Sequence, residues 1–394
     1  MLNIVHFSRT PSAGSPIRLV QALRAHTDYN IHLIDLDRFG IYDHDIIFKE
    51  EVDRAIEIAK KADIIHFHHY IDINNKDFYP IDFQYLKKSG TLFLRHYRTE
   101  PRLTAQYSGV SIDDLYSKSI PSLVVGQYME RFYPTSMVVP NIIPEYNKLY
   151  KPNIHNNKGI YYSPTFDNSA WTHRWDTKGK PEVLKLLLHL KKDKNIKIIS
   201  HNKSPLKDAL LSKQSAQIII DDIVTGSYHI STLEGLSMGK VVLSYLDNRT
   251  KYVISKLSGS DESPIINVHL NDAYKKLIWL LNNDDIILKK GIESRKWFEK
   301  YWSEKKMINS YSNIYKKLLN DPHSIVRQKD LEIVSEKQIY LSITEPEIEY
   351  RKRLNYYLKQ LSLKGKFYYY CNSFFCFIKS KIKAVSIISI FLKR

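Results

Sequence analysis

The stretch Ile218–Tyr245, "IIIDDIVTGSYHISTLEGLSMGKVVLSY", decides how the chain is read. An apolar run, Ile218 to Ile220, meets two carboxylates, Asp221 and Asp222. The polar turn "TGSYH" follows, then an apolar-faced segment carrying Glu234, a "MGK" turn and a second apolar run. Short continuous apolar runs on either side of a helical pattern describe a strand–helix–strand unit whose strands are buried on both faces. Two explanations of its polar first turn stand open. Ser231 followed by Glu234 fits a capping box, in which Glu234 reaches back to the Ser231 N–H. Alternatively, a glycine and small polar groups at the helix start let an anionic or sugar ligand approach closely.

The same alternation extends outward in both directions. Strand-like "NIVHFS", "IHLIDLD", "DIIHFHH", "TLFLRHY", "SLVVGQ" and "SMVVPN" are separated by helical patterns such as "PIRLVQALRAH" and "EVDRAIEIAKKA". This predicts a parallel α/β sheet and a Rossmann-like domain over residues 1–150. After the Pro/Asn-rich "PNIIPEYNKLYKPNIHNNKG" the alternation restarts, predicting a second Rossmann-like domain over 151–293. One helical pattern then runs from Ser294 to Leu319, with Trp297, Phe298, Trp302, Ile308, Tyr311 and Ile314 on one face. We read 294–322 as a return helix packing toward the first domain, and 323–394 as a helical, basic tail.

A chain of 394 residues is long enough for two domains. Its 59 Lys+Arg against 42 Asp+Glu give +17, which favours anionic partners. Nucleic acid is not the expected one, because the basic residues are dispersed and carry no groove-reading motif. The 2 cysteines, Cys371 and Cys376, supply no disulfide framework. The start, "MLNIVHFSRT", shows no secretory pattern, and no run reaches the ~17–25 apolar residues that cross a bilayer. The end, "KGKFYYYCNSFFCFIKSKIKAVSIISIFLKR", has uncharged stretches at Phe367–Ile378 and Ala384–Leu392 with Lys379, Lys381 and Lys383 between them. Such a segment suits a membrane interface, or a helix packed on protein. The expected location is cytoplasmic, peripheral at the inner face of the membrane.

Polar residues directly after strands are the candidates for chemistry. Ser12, Ala13, Gly14 and Ser15 form a small-residue turn into the helix opened by Pro16, either a plain connection or a phosphate cradle. His66, His68 and His69 end one strand and His96 another. A metal reading lacks a carboxylate or cysteine set, so no metal is expected. His66 alternates with apolar neighbours as a core residue does, whereas His96, beside Arg95, Arg98 and Glu100, is expected at an exposed cleft. Arg174 and Lys178 precede the helix at Pro181 and would neutralise a diphosphate, or else belong to a solvated basic loop.

In this order the motifs resemble a GT-B glycosyltransferase of the family-4 type, the bacterial enzymes that build surface polysaccharides. The resemblance spans about residues 1–320. It rests on the loop after strand one, on "DIIHFHH", "FLRHYRTEP", "VVPN" and "YYSPT", on the Arg and Lys before a helix, and above all on "LEGLSMGKVVLSY". It implies an α/β fold of two Rossmann-like domains around a cleft, with a nucleotide-sugar donor as co-substrate, no cofactor, and a lipid-linked or oligosaccharide acceptor. Glu234 matches the glutamate on the donor ribose, Arg174 and Lys178 the diphosphate pair, and His96 the histidine near the transferred sugar. Ser12, Gly14 and Ser15 match the loop beside phosphate and acceptor, and the N–H groups of Gly226, Ser227 and Tyr228 would face the donor. Where the family often has a second glutamate, eight positions before Glu234, this chain has Gly226, with Asp222 or His229 as substitutes. Arg-to-Lys spacing is one residue shorter than in many members. The mechanism implied is retaining and metal-independent; an inverting enzyme would need a base, for which His96 is the first candidate. The competing readings are a GT-B nucleotide-sugar epimerase and a catalytically silent sugar-binding or scaffold protein.

Overall fold

The computed structural model describes residues 1–116, 119–153, 159–172, 175–201, 205–325, 331–367 and 370–371. The first sheet contains β1 (Asn3–Ser8), β2 (Asn30–Asp35), β3 (Ile46–Ile47), β4 (Ile64–His68), β5 (Leu92–Tyr97), β6 (Ser122–Val125) and β7 (Met137–Val139), in the order β3-β2-β1-β4-β5-β6-β7. The second contains β8 (Gly159–Tyr161), β9 (Lys197–Ile199), β10 (Ile218–Ile220), β11 (Val241–Ser244) and β12 (Ile266–Asn267), in the order β12-β11-β10-β8-β9. Every strand pair is parallel.

Side-chain alternation explains why these runs are apolar throughout, since both faces are covered. On one face of the first sheet Val5, Phe7, Ile65, Phe67 and Phe93 pack with Ala55, Ala59 and Phe83. On the other, Ile4, Ile64 and Leu94 meet Leu19, Val20 and Leu23 of the Ser15–His26 helix and Tyr311 and Tyr315 of the Glu304–Asn320 helix. Strand order reverses between β1 and β4 in the first sheet and between β8 and β10 in the second. The crevice beyond such a reversal is where open sheets bind ligands.

The pattern read as one helix, Ser294 to Leu319, is two: Asp284–Tyr301 and Glu304–Asn320. The break lies at Trp302, which is fully buried and donates Nε1–H to the Asn141 carbonyl at 3.1 Å. The Glu304 N–H then donates to Glu145 Oε2 at 2.9 Å. Helical periodicity survives the break because Trp297, Phe298, Trp302, Ile308, Tyr311 and Ile314 are all buried. Among smaller elements, the two-residue β3 and β12 and the polar helix Asn248–Ser258 leave too weak a pattern to read.

Two crossed, fully buried ion pairs tie the sheets' loops together. Glu130 and Arg131, in the turn Tyr128–Phe132, face Arg249 and Asp247 at the start of the Asn248–Ser258 helix. Arg249 grips Glu130 through two bonds of 2.8 and 2.7 Å, and Arg131 grips Asp247 through two of 2.9 and 3.2 Å. Other guanidinium hydrogens reach the Leu331 carbonyl, Gln338 Oε1, the Ser342 and Tyr128 carbonyls and Thr250 Oγ1.

The chain divides into two compact units, Met1–Thr344 and Glu345–Arg394. In the second, the helix Glu345–Gln360 carries an exposed Arg351–Glu347 pair. Most of the basic-aromatic tail, with Cys376, lies outside the described residues. No helix among the described residues is long and apolar enough to cross a membrane.

Candidate active site

Glu234 sits on the helix Ile230–Ser237 that opened the sequence reading, and it does not cap that helix. The N-cap is His229, and no side chain caps it. Instead the Glu234 carboxylate, 1% exposed, accepts from Arg18 Nη2 at 2.9 Å and from Lys213 Nζ. Arg18 comes from the first domain's opening helix and Lys213 from the helix Leu206–Ser215, so the carboxylate bridges elements flanking both sheets. Burial alone would raise the Glu234 pKa; Lys213 and then Arg18 outweigh it and hold the group below its usual value. The cations rest on rings, Arg18 over Tyr150 at 5.6 Å and Lys213 over Tyr161 at 5.4 Å.

The small-residue loop belongs to the same assembly. Ser12, Ala13 and Gly14 have φ of 42, 56 and 74°, three successive left-handed residues, and Gly14 is the N-cap of the Ser15–His26 helix. A Cβ at Gly14 would stand 3.1 Å from the Tyr42 ring and 3.8 Å from Arg18 Nε. Arg18 therefore lies directly under the loop. It is 4% exposed, and its Nε and Nη1 find no hydrogen-bond partner among the described residues.

A second assembly organises the start of the Ile230–Ser237 helix. Asp221, fully buried, accepts from the His229 N–H at 2.6 Å, from Thr232 Oγ1 at 2.7 Å and from Lys178 Nζ. Burial opposes its ionisation, but Lys178 and His229 together hold it well below the usual carboxylate range. The His229 ring stacks on Trp175 at 5.6 Å. Lys178 is thus fixed at the carboxyl end of β10, whereas Arg174 lies outside the described residues.

One expectation about this turn needs correction. Asp222, expected to face the donor sugar, is fully buried and closes its own turn, accepting from the Val224 and Thr225 N–H groups at 2.8 and 2.9 Å and from the Thr225 hydroxyl. Gly226 has φ 89°, and a Cβ there would meet Asp247 Cβ at 3.0 Å, so a side chain at this position is strained and crowded. Ser227 accepts from the Tyr128 N–H at 3.1 Å, and Tyr228 donates to the Gly126 carbonyl at 2.6 Å. Their side chains join the two domains, while the N–H groups of Gly226, Ser227 and Tyr228 find no partner among the described residues.

His96, expected at an exposed cleft, is 1% exposed, because Tyr311 and Tyr315 cover that face. It belongs to a buried row. His6 pairs in register with His66, and His68 with His96, so all four imidazoles share one face of the sheet. Nitrogens of His6, His66 and His68 lie within 4.8 Å of one another, a spacing that a metal ion can span. No carboxylate is in that group, and the nearby Arg98 cation pushes His66, His68 and His96 the same way as burial does, toward the neutral form. The set therefore offers poor compensation for two added positive charges. His69 stands apart, at φ 66° against Tyr70.

Arg18, Lys213, Asp221, His6 and Tyr315 were not among the residues singled out by sequence. Arg18 had a usable signal, a lone cation inside the apolar "PIRLV"; His6 alternates with apolar neighbours and looks like any strand residue.

No family model matches the chain, and no curated protein matches it in sequence. Solved structures do match it in shape. A glycosyltransferase from Rickettsia africae aligns over 81% of this chain and 99% of its own, with a TM-score of 0.50 and 14% identity. HepE of Anabaena, in complex with UDP and glucose, aligns over 80% and 100%, with 0.51 and 9%. The fold is GT-B. A UDP-GlcNAc 2-epimerase from Neisseria meningitidis, bound to UDP-GlcNAc, aligns over 82% and 100% at the lower TM-score of 0.46 and 12% identity. The GT-B arrangement places the carboxyl ends of β1, β4, β8 and β10, with the polar groups above, as candidates for a common site.

Proposed function

We propose that the chain is a glycosyltransferase taking its sugar from a nucleotide-sugar donor. One observation carries the reading. Arg18, buried and held by Glu234, keeps two guanidinium nitrogens, Nε and Nη1, without a partner among the described residues, directly under the Gly14 loop. An unmatched, buried guanidinium is costly unless an anion completes it. A diphosphate is the anion that the site suits, with Lys178 and the N–H groups of Gly226, Ser227 and Tyr228 on the second domain. The Glu234 carboxylate accepts two bonds but has about four lone-pair directions, which leaves room for ribose hydroxyls. HepE, of the same fold, has been captured with UDP and with UDP-glucose.

In this reading charge developing on the leaving diphosphate is stabilised by Arg18, Lys178, Arg174 and backbone N–H groups, without a metal, and the acceptor hydroxyl attacks on the same face with retention. The acceptor we propose is a lipid-linked or growing surface glycan of lipopolysaccharide, O-antigen or capsule type in a bacterium. Net charge +17 and the basic-aromatic tail support work at the inner membrane surface. A silent sugar-binding protein is the second reading, and it is favoured by Gly226, which brings no carboxylate and where the positive φ and Asp247 disfavour one.

The test is a panel of nucleotide sugars assayed for nucleoside diphosphate release with and without glycolipid acceptors. The transferase reading expects one donor to be consumed, faster with acceptor. Binding without release would establish the second reading, and the absence of any binding would refute both.

A further inference from the structure

The buried histidine row has a feature that the donor reading does not use. It is a linear hydrogen-bonded chain of five groups. His68 Nε2 lies 2.9 Å from His6 Nδ1; His6 Nε2 lies 3.2 Å from the Tyr315 hydroxyl; that hydroxyl lies 2.8 Å from His66 Nδ1; and His66 Nε2 lies 3.3 Å from His96 Nδ1. The two ends, His68 Nδ1 and His96 Nε2, are buried and have no partner among the described residues.

Proton counting leaves this chain only two consistent states. A neutral imidazole has one N–H and one bare nitrogen, and a tyrosine hydroxyl has one proton to give. Burial holds His6 neutral, lowering its pKa to about 3, and keeps Tyr315 protonated. If Tyr315 donates to His66, it must accept from His6. His6 Nδ1 is then bare and accepts from His68, while His66 donates onward to His96, whose Nε2 ends as a donor. All four histidines carry the proton on Nε2. If Tyr315 donates to His6, every bond reverses, all four carry it on Nδ1, and His96 Nε2 ends as a bare acceptor.

We propose that His6, His66, His68 and Tyr315 are positioning residues of a two-state tautomer chain, which decides whether His96 Nε2 donates or accepts. A mixed arrangement sets N–H against N–H, or lone pair against lone pair, in a dry interior. One unmade buried bond of this kind disfavours it roughly fivefold to a hundredfold. The chain thus lets a neutral imidazole present either polarity without burying a charge. Tyr311 and Tyr315 cover this face, so only an oxygen admitted past them reaches His96 Nε2, and an acceptor there selects the state with all protons on Nε2. The inference goes beyond the transferase reading and survives its failure, since the chain exists whatever the cleft binds.

Nitrogen NMR of the full chain with ring-labelled histidine, at neutral pH and without ligand, tests it. The four rings, among 15 histidines, are assigned through single His→Gln variants. The expected result is one shared tautomer for His6, His66, His68 and His96, or two that exchange together. In Tyr315→Phe the pair His6–His68 and the pair His66–His96 should become independent. Unlike tautomers within the wild-type row, an imidazolium in it, or metal-bound shifts after addition of Zn²⁺ alone would each overturn the proposal. The wild-type spectrum is decisive even if Tyr315→Phe does not fold.

Discussion

At the scale of single residues, Glu234 carries most of the argument. It joins Arg18 and Lys213 in a fully buried triad, and removing the anion strands two cations. Glu234→Gln should therefore cost about 3–5 kcal/mol in urea unfolding. The pH dependence has a definite sign. Because the folded carboxyl titrates below its unfolded value of 4.5, its stabilisation is present above that pH and is lost as pH falls further. Stability should consequently fall less steeply below pH 4.5 in the variant than in wild type, and equal slopes would detach Glu234 from the acid response. The motif around Glu234 was legible in the sequence, but its partners were not. Arg18 is 216 positions away, and nothing local to either residue announces the pair.

At the scale of elements, the strands and most helices were readable because apolar runs and helical stripes are local patterns. What failed was set by distant packing. The helix break at Trp302 depends on Asn141, and the burial of His96 on Tyr311 and Tyr315. Asp222 was read as ligand-facing, yet it closes its own turn through the Val224 and Thr225 N–H groups. The crossed pairs Glu130–Arg249 and Arg131–Asp247 left no sequence signal either. They predict strong coupling: in a double-mutant cycle, Glu130→Ala and Arg249→Ala should each cost about 3–5 kcal/mol, and the double variant much less than the sum. Additive losses in denaturant unfolding would show that the pairs do not latch the loops.

For the whole molecule, two parallel α/β domains around a cleft were expected from the repeated alternation; the sheets are both parallel, each with a strand-order reversal, and the fold matches that of GT-B neighbours. Composition could not specify the acceptor, since +17 suits several anionic partners. If the tail anchors the protein, truncation before Lys364 should abolish sedimentation with anionic vesicles, and unchanged sedimentation would place membrane contact elsewhere. The central claim is that Arg18, Glu234 and Lys178 form a nucleotide-diphosphate site. Calorimetric titration with UDP and with the other nucleoside diphosphates tests it directly, on wild type and on Glu234→Gln and Lys178→Ala shown to be folded. The account predicts that wild type binds at least one of them and that each variant binds it at least about tenfold more weakly. Binding that is unchanged in both folded variants, or that is undetectable in wild type, would contradict it.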